Sequence, residues 1–104
     1  SVAAVFEDMP KAFNADAAKG VDVVFQYNIA GEGGGDWYCA VKDGACQVAA
    51  GSHDKPVCTL KMDAGDFLAM MSGSLPAMQA YTSGKLKIEG DIMKSQLIEK
   101  LFKF

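Results

Sequence analysis

The sequence predicts a single α/β domain of the α+β kind, in which five strands with one buried face each lie against several short helices. Three observations carry that expectation. Five separate runs alternate apolar with polar residues, the period of a strand covered on one side. At the N-terminus and again after Asp63 the apolar spacing changes to three and four, the period of a helix lying on a core. The polar row Lys85, Lys87 and Glu89 beside Leu86 and Ile88 excludes a purely parallel sheet buried on both faces.

The first helix is read from Val2, Val5, Phe6, Met9 and Phe13. Pro10 cannot donate an intrahelical bond and disfavours helical geometry before it, so the helix should run to about Met9. A looser turn through Asn14 and a short helical piece ending at Gly20 follow. From Val21 the period becomes two: Val21, Val23, Phe25, Tyr27 and Ile29 share the buried face, while Asp22, Gln26 and Asn28 face away. Residues 30–36, AGEGGGD, have no strand propensity. Their glycines fail the dinucleotide spacing and no G-K-[ST] follows, so the segment is a hairpin loop rather than a phosphate cradle.

Trp37, Cys39 and Val41 alternate with Tyr38, Ala40 and Lys42 in a second strand. Asp43-Gly44 is a tight-turn pair that returns residues 45–50 antiparallel. Small residues there, Ala45, Ala49 and Ala50, suit either an edge strand under a close-packed helix or a surface on which something else lies. Residues 51–56, GSHDKP, form a loop with the single histidine. His53 and Asp54 are adjacent in a turn, where two side chains rarely converge on one substrate, and no nucleophile accompanies them.

A fourth strand over residues 57–62 turns Cys58, Leu60 and Met62 to one face. Asp63 is placed to cap the next helix, with Asp66 near the positive end of its dipole. That helix carries Phe67, Leu68, Met70 and Met71 and stops at Ser72-Gly73. Ser74 is expected to cap a second short helix, with Pro76 in its first turn, Leu75, Met78 and Tyr81 on its buried side, and Gly84 closing it. The fifth strand spans residues 85–90. From Asp91 a final helix places Met93, Leu97, Leu101 and Phe104 on one line, with Ile98 and Phe102 beside it.

Composition narrows the function classes. The chain has 104 residues, enough for one domain over 1–104 that buries roughly two-thirds of its unfolded surface. Half the residues are hydrophobic and 22% charged, no apolar run approaches the ~18 residues that span a bilayer, and the first twenty residues lack a signal-peptide core, so a soluble globular domain is expected. Net charge is −3 and every basic residue is lysine. Without arginine, forked contacts to phosphates and base edges are missing, so nucleic acid is not an expected partner. Cys39, Cys46 and Cys58 show no C-x-x-C spacing, and the one histidine is far from any cysteine pair. No metal and no cofactor is therefore expected; buried reduced thiols fit the strands and point to a cytoplasmic setting. Met62, Met70, Met71, Met78 and Met93 supply five of the six methionines, a cluster that suits either an irregular core or a pliable apolar pocket.

At these residues the chain resembles the sterol carrier protein 2 family. The resemblance is carried by the strand ending Met62-Asp63, and by Asp66-Phe67 with Met70, Met71 and Gly73 in a D-F-L-x-M-M-x-G pattern. Ala80, the run Gly84-Lys85-Leu86-Lys87-Ile88-x-Gly90-Asp91, and the helix finishing Lys100-Leu101-Phe102 continue it. Softer matches lie in residues 6–14, FEDMPKAFN, and residues 37–44, WYCAVKDG. The resemblance implies a five-stranded, largely antiparallel sheet with helices on one face and a hydrophobic tunnel between them. It also implies a non-catalytic domain that binds fatty acids, acyl-CoA, sterols or other lipids, often riding on enzymes. The ending Phe102-Lys103-Phe104 is not a peroxisomal tripeptide.

The expected function is thus a lipid carrier without enzymatic activity, whose partners are a long-chain lipid and, transiently, a membrane surface. Its cavity wall is expected to comprise Phe25, Trp37, Leu60, Met62, Phe67, Met71, Met78, Ile88, Met93, Leu97 and Leu101, with the last helix as gate. The alternative is an accessory interaction domain whose core is filled by its own side chains.

Overall fold

The structure, a computed structural model, describes residues 1–102. Helix α1 (Val2–Asp8) begins with the Ser1 hydroxyl accepting the Ala4 N–H. Pro10 then tightens the chain into a 3-10 turn (Met9–Ala12), and a second 3-10 turn (Asp16–Ala18) follows. Strand β1 (Val23–Ala30) is the centre of a five-stranded sheet. It pairs antiparallel with β2 (Gly35–Lys42), which pairs antiparallel with β3 (Ala45–Ala50) through a turn whose two central residues, Asp43 and Gly44, both have positive φ.

Strand β4 (Cys58–Asp63) lies on the other side of β1 and runs parallel to it, from Phe25↔Cys58 to Ala30↔Asp63. Strand β5 (Lys87–Gly90) closes the order β3-β2-β1-β4-β5, antiparallel to β4. The sheet is therefore mixed, with three antiparallel pairs and one parallel pair. Helices α2 (Ala64–Met71), α3 (Ala77–Thr82), α4 (Ile92–Ser95) and α5 (Leu97–Leu101) join α1 to cover the face bearing Phe25, Tyr27 and Ile29.

Residues 51–57 make the parallel pair reachable. They carry the chain from edge strand β3 across the opposite sheet face to β4, beneath the side chain of Gln26. The Gln26 amide donates to the carbonyls of Trp37 (3.1 Å) and Gly51 (3.0 Å), and its oxygen accepts the His53 N–H at 2.8 Å. Gln26 is 4% exposed, so the face expected to meet water is covered here by a strap of the chain itself.

Five further expectations change. Val21 precedes β1, and β5 is shorter than the run that begins at Lys85. Ser74 does not cap α3; its hydroxyl and that of Ser72 both donate to the Ala69 carbonyl and finish α2. Met78 and Tyr81 are not buried: α3 approaches the core through Ala80, whose small side chain brings the backbone close and leaves its longer neighbours in solvent. The final helix is two short pieces separated at Gln96, which turns Met93 outward while Leu101 stays buried. Phe104 lies outside the described residues.

Replacing Gln26 with leucine removes partners from two carbonyls and one N–H under the strap. The variant should lose about 2–3 kcal/mol in urea unfolding with an unchanged m-value. A loss below about 0.5 kcal/mol would mean the strap is satisfied by solvent.

Candidate functional site

The centre of the covered face is a group of four rings from four separate elements. Phe6 of α1 stacks on Trp37 of β2 at 5.1 Å with an interplanar angle of 9°, and on Phe67 of α2 at 5.3 Å and 11°. Tyr27 of β1 meets Phe6 edge-on at 5.1 Å and Phe67 at 6.3 Å. Asp63 positions Phe67, since its carboxylate accepts the Gly65 N–H and starts α2 at the end of β4. Phe6 reaches the stack because α1 turns Val2 and Phe6 inward and Met9 follows one turn later.

The Tyr27 hydroxyl is buried with no hydrogen-bond partner among the described residues. A buried hydroxyl in that state costs about 1–3 kcal/mol. Burial raises its pKa well above the usual tyrosine value, and the Cys39, Cys58 and Cys46 thiols add to the effect. The group is therefore a neutral hydroxyl. Near it, the sulfurs of Cys39 and Cys46 lie 3.4 Å apart as free thiols. That contact, then burial, raises the Cys39 thiol, while the same contact lowers the half-buried Cys46. Burial, assisted by Asp91, pushes Cys58 up to about 11.

Of the eleven expected wall residues, Phe25, Leu60, Met62, Phe67 and Leu101 are in the core, and Trp37, Met71, Ile88 and Leu97 pack half-buried against it. Met78 and Met93, at 72% and 76% exposure, stand outside that interior in the structure. Phe6 and Tyr27 were missing from the expected set. Both carry a sequence signal, the α1 stripe and the inward face of β1, but neither signal separates a site residue from ordinary core.

The last helical pieces are fastened at one end. The Asn14 N–H donates to the Leu101 carbonyl at 2.7 Å, Phe13 bridges Phe102 through the backbone, and their rings lie 5.6 Å apart. Among the described residues α4, with Ile92 and Met93 exposed, makes no backbone hydrogen bond to the N-terminal segment.

An open groove of about 520 Å³ lies where β1 and β4 end, lined by Asn28 to Ala30, Asp36, Lys61 to Asp63, Lys85 and Lys87. Its floor residues Ile29 and Met62 belong also to the core. Lys61 is held by Glu89 at 3.1 Å. His53 is exposed, with its ring against Tyr38 and its Nδ1 accepting the Lys55 N–H, so Asp54 does not orient it. Among the described residues no group of three or more His, Cys, Asp or Glu side chains could hold a metal ion, and no helix is long and apolar enough to cross a membrane.

Comparison with known proteins adds independent findings. The model of the SCP-2 sterol transfer family matches residues 5–103. Hydroxysteroid dehydrogenase-like protein 2 of Xenopus tropicalis is 33% identical over 97 residues, covering 92% of this chain but only 23% of its own length. Palmitated sterol carrier protein 2-like 2 of Aedes aegypti superposes with a TM-score of 0.76 at 27% identity, over 96% of this chain and 93% of that one. A sec-alkylsulfatase of Pseudomonas sp. shares the fold, with a TM-score of 0.80 at 21% identity over 95% of this chain and 16% of its own. The chain thus spans about a quarter of the curated relative's length.

The thiols should separate under alkylation. Iodoacetamide at pH 8 should modify Cys46 first, with Cys39 and Cys58 reacting only on the timescale of unfolding, as read by peptide mass spectrometry. Equal rates at all three would contradict the burial and hydrogen bonding assigned to them.

Proposed function

This chain belongs to the SCP-2 sterol transfer family, and from that membership we propose that it is a non-enzymatic carrier for one long-chain lipid, held between the sheet and its helical cover. The observation that carries the reading is the construction of that cover. Among the described residues no helix in it exceeds eight residues, and its Phe6 and Phe67 rings pack at the centre of the sheet. Helices this short are not stable alone, so their position depends on what their apolar faces meet. A lipid chain can replace one such contact with another.

The magnitudes favour exchange. A sixteen-carbon tail buried at ~0.8 kcal/mol per methylene contributes on the order of 12 kcal/mol before the cost of binding and ordering. Displacing Phe6 from its three ring contacts gives up about 3–7 kcal/mol, counting its burial and the three aromatic pairs. The ligand classes in view are a fatty acid, a fatty acyl-CoA or a sterol-like molecule, and the palmitated relative supports the first. The exposed Met78, Tyr81, Ile92 and Met93 suit transient contact with a membrane during loading. The free thiols fit a reducing, cytoplasmic setting.

A second reading rests on coverage. Since the chain corresponds to about a quarter of a dehydrogenase-like relative, it can serve as the lipid-holding accessory part of a larger enzyme. Filled interior, no bound lipid and concentration-dependent dimers in sedimentation would favour interaction over carriage.

Titration of delipidated protein with a fluorescent long-chain fatty acid should give saturable one-to-one binding. Phe6→Ala should unfold about 3–5 kcal/mol more easily without lipid. It should also bind the same probe more tightly and recover part of the lost stability when loaded. Absence of saturable binding in the wild type, or weaker binding in the variant, would contradict exchange at Phe6.

A further inference from the structure

Among the described residues the buried polar side chains are few, and all but one are satisfied. Gln26 is bound by the strap on the far sheet face, and the Ser95 hydroxyl donates to the Ile92 carbonyl. Tyr27, 2% exposed on the central strand, has no partner for its hydroxyl among the described residues. It lies in register between Trp37 and Leu60, and the Phe6 and Phe67 rings pack edge-on against it. Phenylalanine already serves at positions 6, 25 and 67 of the same layer and would fill this position without the unpaired oxygen.

The interior has no cation to match an ionised head. Every described lysine is at least partly exposed, the most covered being Lys61, which is paired with Glu89. A carboxylate or phosphate drawn into this layer would lose its hydration without compensation. A neutral hydroxyl or carbonyl would instead be matched, because a phenolic hydroxyl both donates and accepts.

We propose that the Tyr27 hydroxyl is the internal anchor for the neutral oxygen of a lipid, so that the interior selects alcohols and carbonyl-bearing lipids over ionised ones. This deepens the carrier reading and rests on it. The lipid that takes the place of Phe6 brings its hydroxyl or carbonyl against the edge of Tyr27 and completes the hydrogen bond that its hydroxyl lacks in the free fold. Ionised heads stay at the surface, where Lys85 and Lys87 border the groove.

The test is a cycle between protein and ligand hydroxyls. Delipidated wild type and Tyr27→Phe are titrated with two matched pairs, cholesterol against cholestane and 1-hexadecanol against hexadecane, by displacement of a fluorescent fatty acid. In at least one pair the substitution should weaken the alcohol by about three- to tenfold and leave the hydrocarbon unchanged or tighter. The pair that responds tells whether a sterol or a straight-chain alcohol is preferred. Free Tyr27→Phe should be at least as stable in urea, because an unpaired buried hydroxyl is gone. A tyrosine ring-carbon label should shift with the preferred alcohol and not with its hydrocarbon. Equal effects on both members of each pair, with wild-type binding intact, would overturn the anchor and leave the carrier reading standing. Failure of the wild type to bind any of these ligands or the probe would overturn both.

Discussion

Phe6 lies flat between Trp37 and Phe67, and this three-ring stack joins a helical cover made of short pieces to the sheet. Helix α1 has seven residues and α2 has eight, lengths at which helix formation in water is marginal without tertiary contacts. Their stability therefore comes from burying Val2, Phe6, Met9, Ala64 and Phe67 against β1 and its neighbours. A cover held this way is firm when packed and replaceable piece by piece. Longer continuous helices would have given a more rigid lid and a less adaptable interior.

The sheet beneath is anchored independently. The strap over residues 51–57 fixes β4 parallel to β1 through Gln26 on the face opposite the rings. The clasp between Asn14 and Leu101 ties the segment after α1 to the end of α5. Under the proposed carrier function, opening the ring layer would leave the sheet order and this clasp in place.

Most of the secondary structure was legible because it rests on local patterns. Alternation marked β1 through β5, Asp43-Gly44 marked the tight turn, and Asp63 marked the start of α2, each through a backbone preference acting within a few residues. The parallel pairing of β1 with β4 was not legible, since nothing local in GSHDKP says that the loop crosses a sheet. Burial of Gln26 follows from that crossing and was missed with it. Met78 and Met93 were assigned to the interior by helical spacing, but Ala80 in α3 and the break at Gln96 rotate them into solvent. Phe6 and Tyr27 lay on correctly read inward faces, yet periodicity reports burial and cannot report that a hydroxyl is left unpaired.

Family membership and one-sided ring packing lead to a single physical claim, that a lipid chain enters between Phe6, Tyr27 and Phe67 rather than resting on the exposed methionines or in the lysine-lined groove. Intermolecular nuclear Overhauser contacts from a carbon-13-labelled long-chain lipid to the ring protons of this protein test it most directly. The account predicts contacts to Phe6, Tyr27 and Phe67, with the Asn14 and Leu101 amides unshifted. Contacts confined to Met78, Met93 or Lys85, with the interior rings unperturbed, would contradict it.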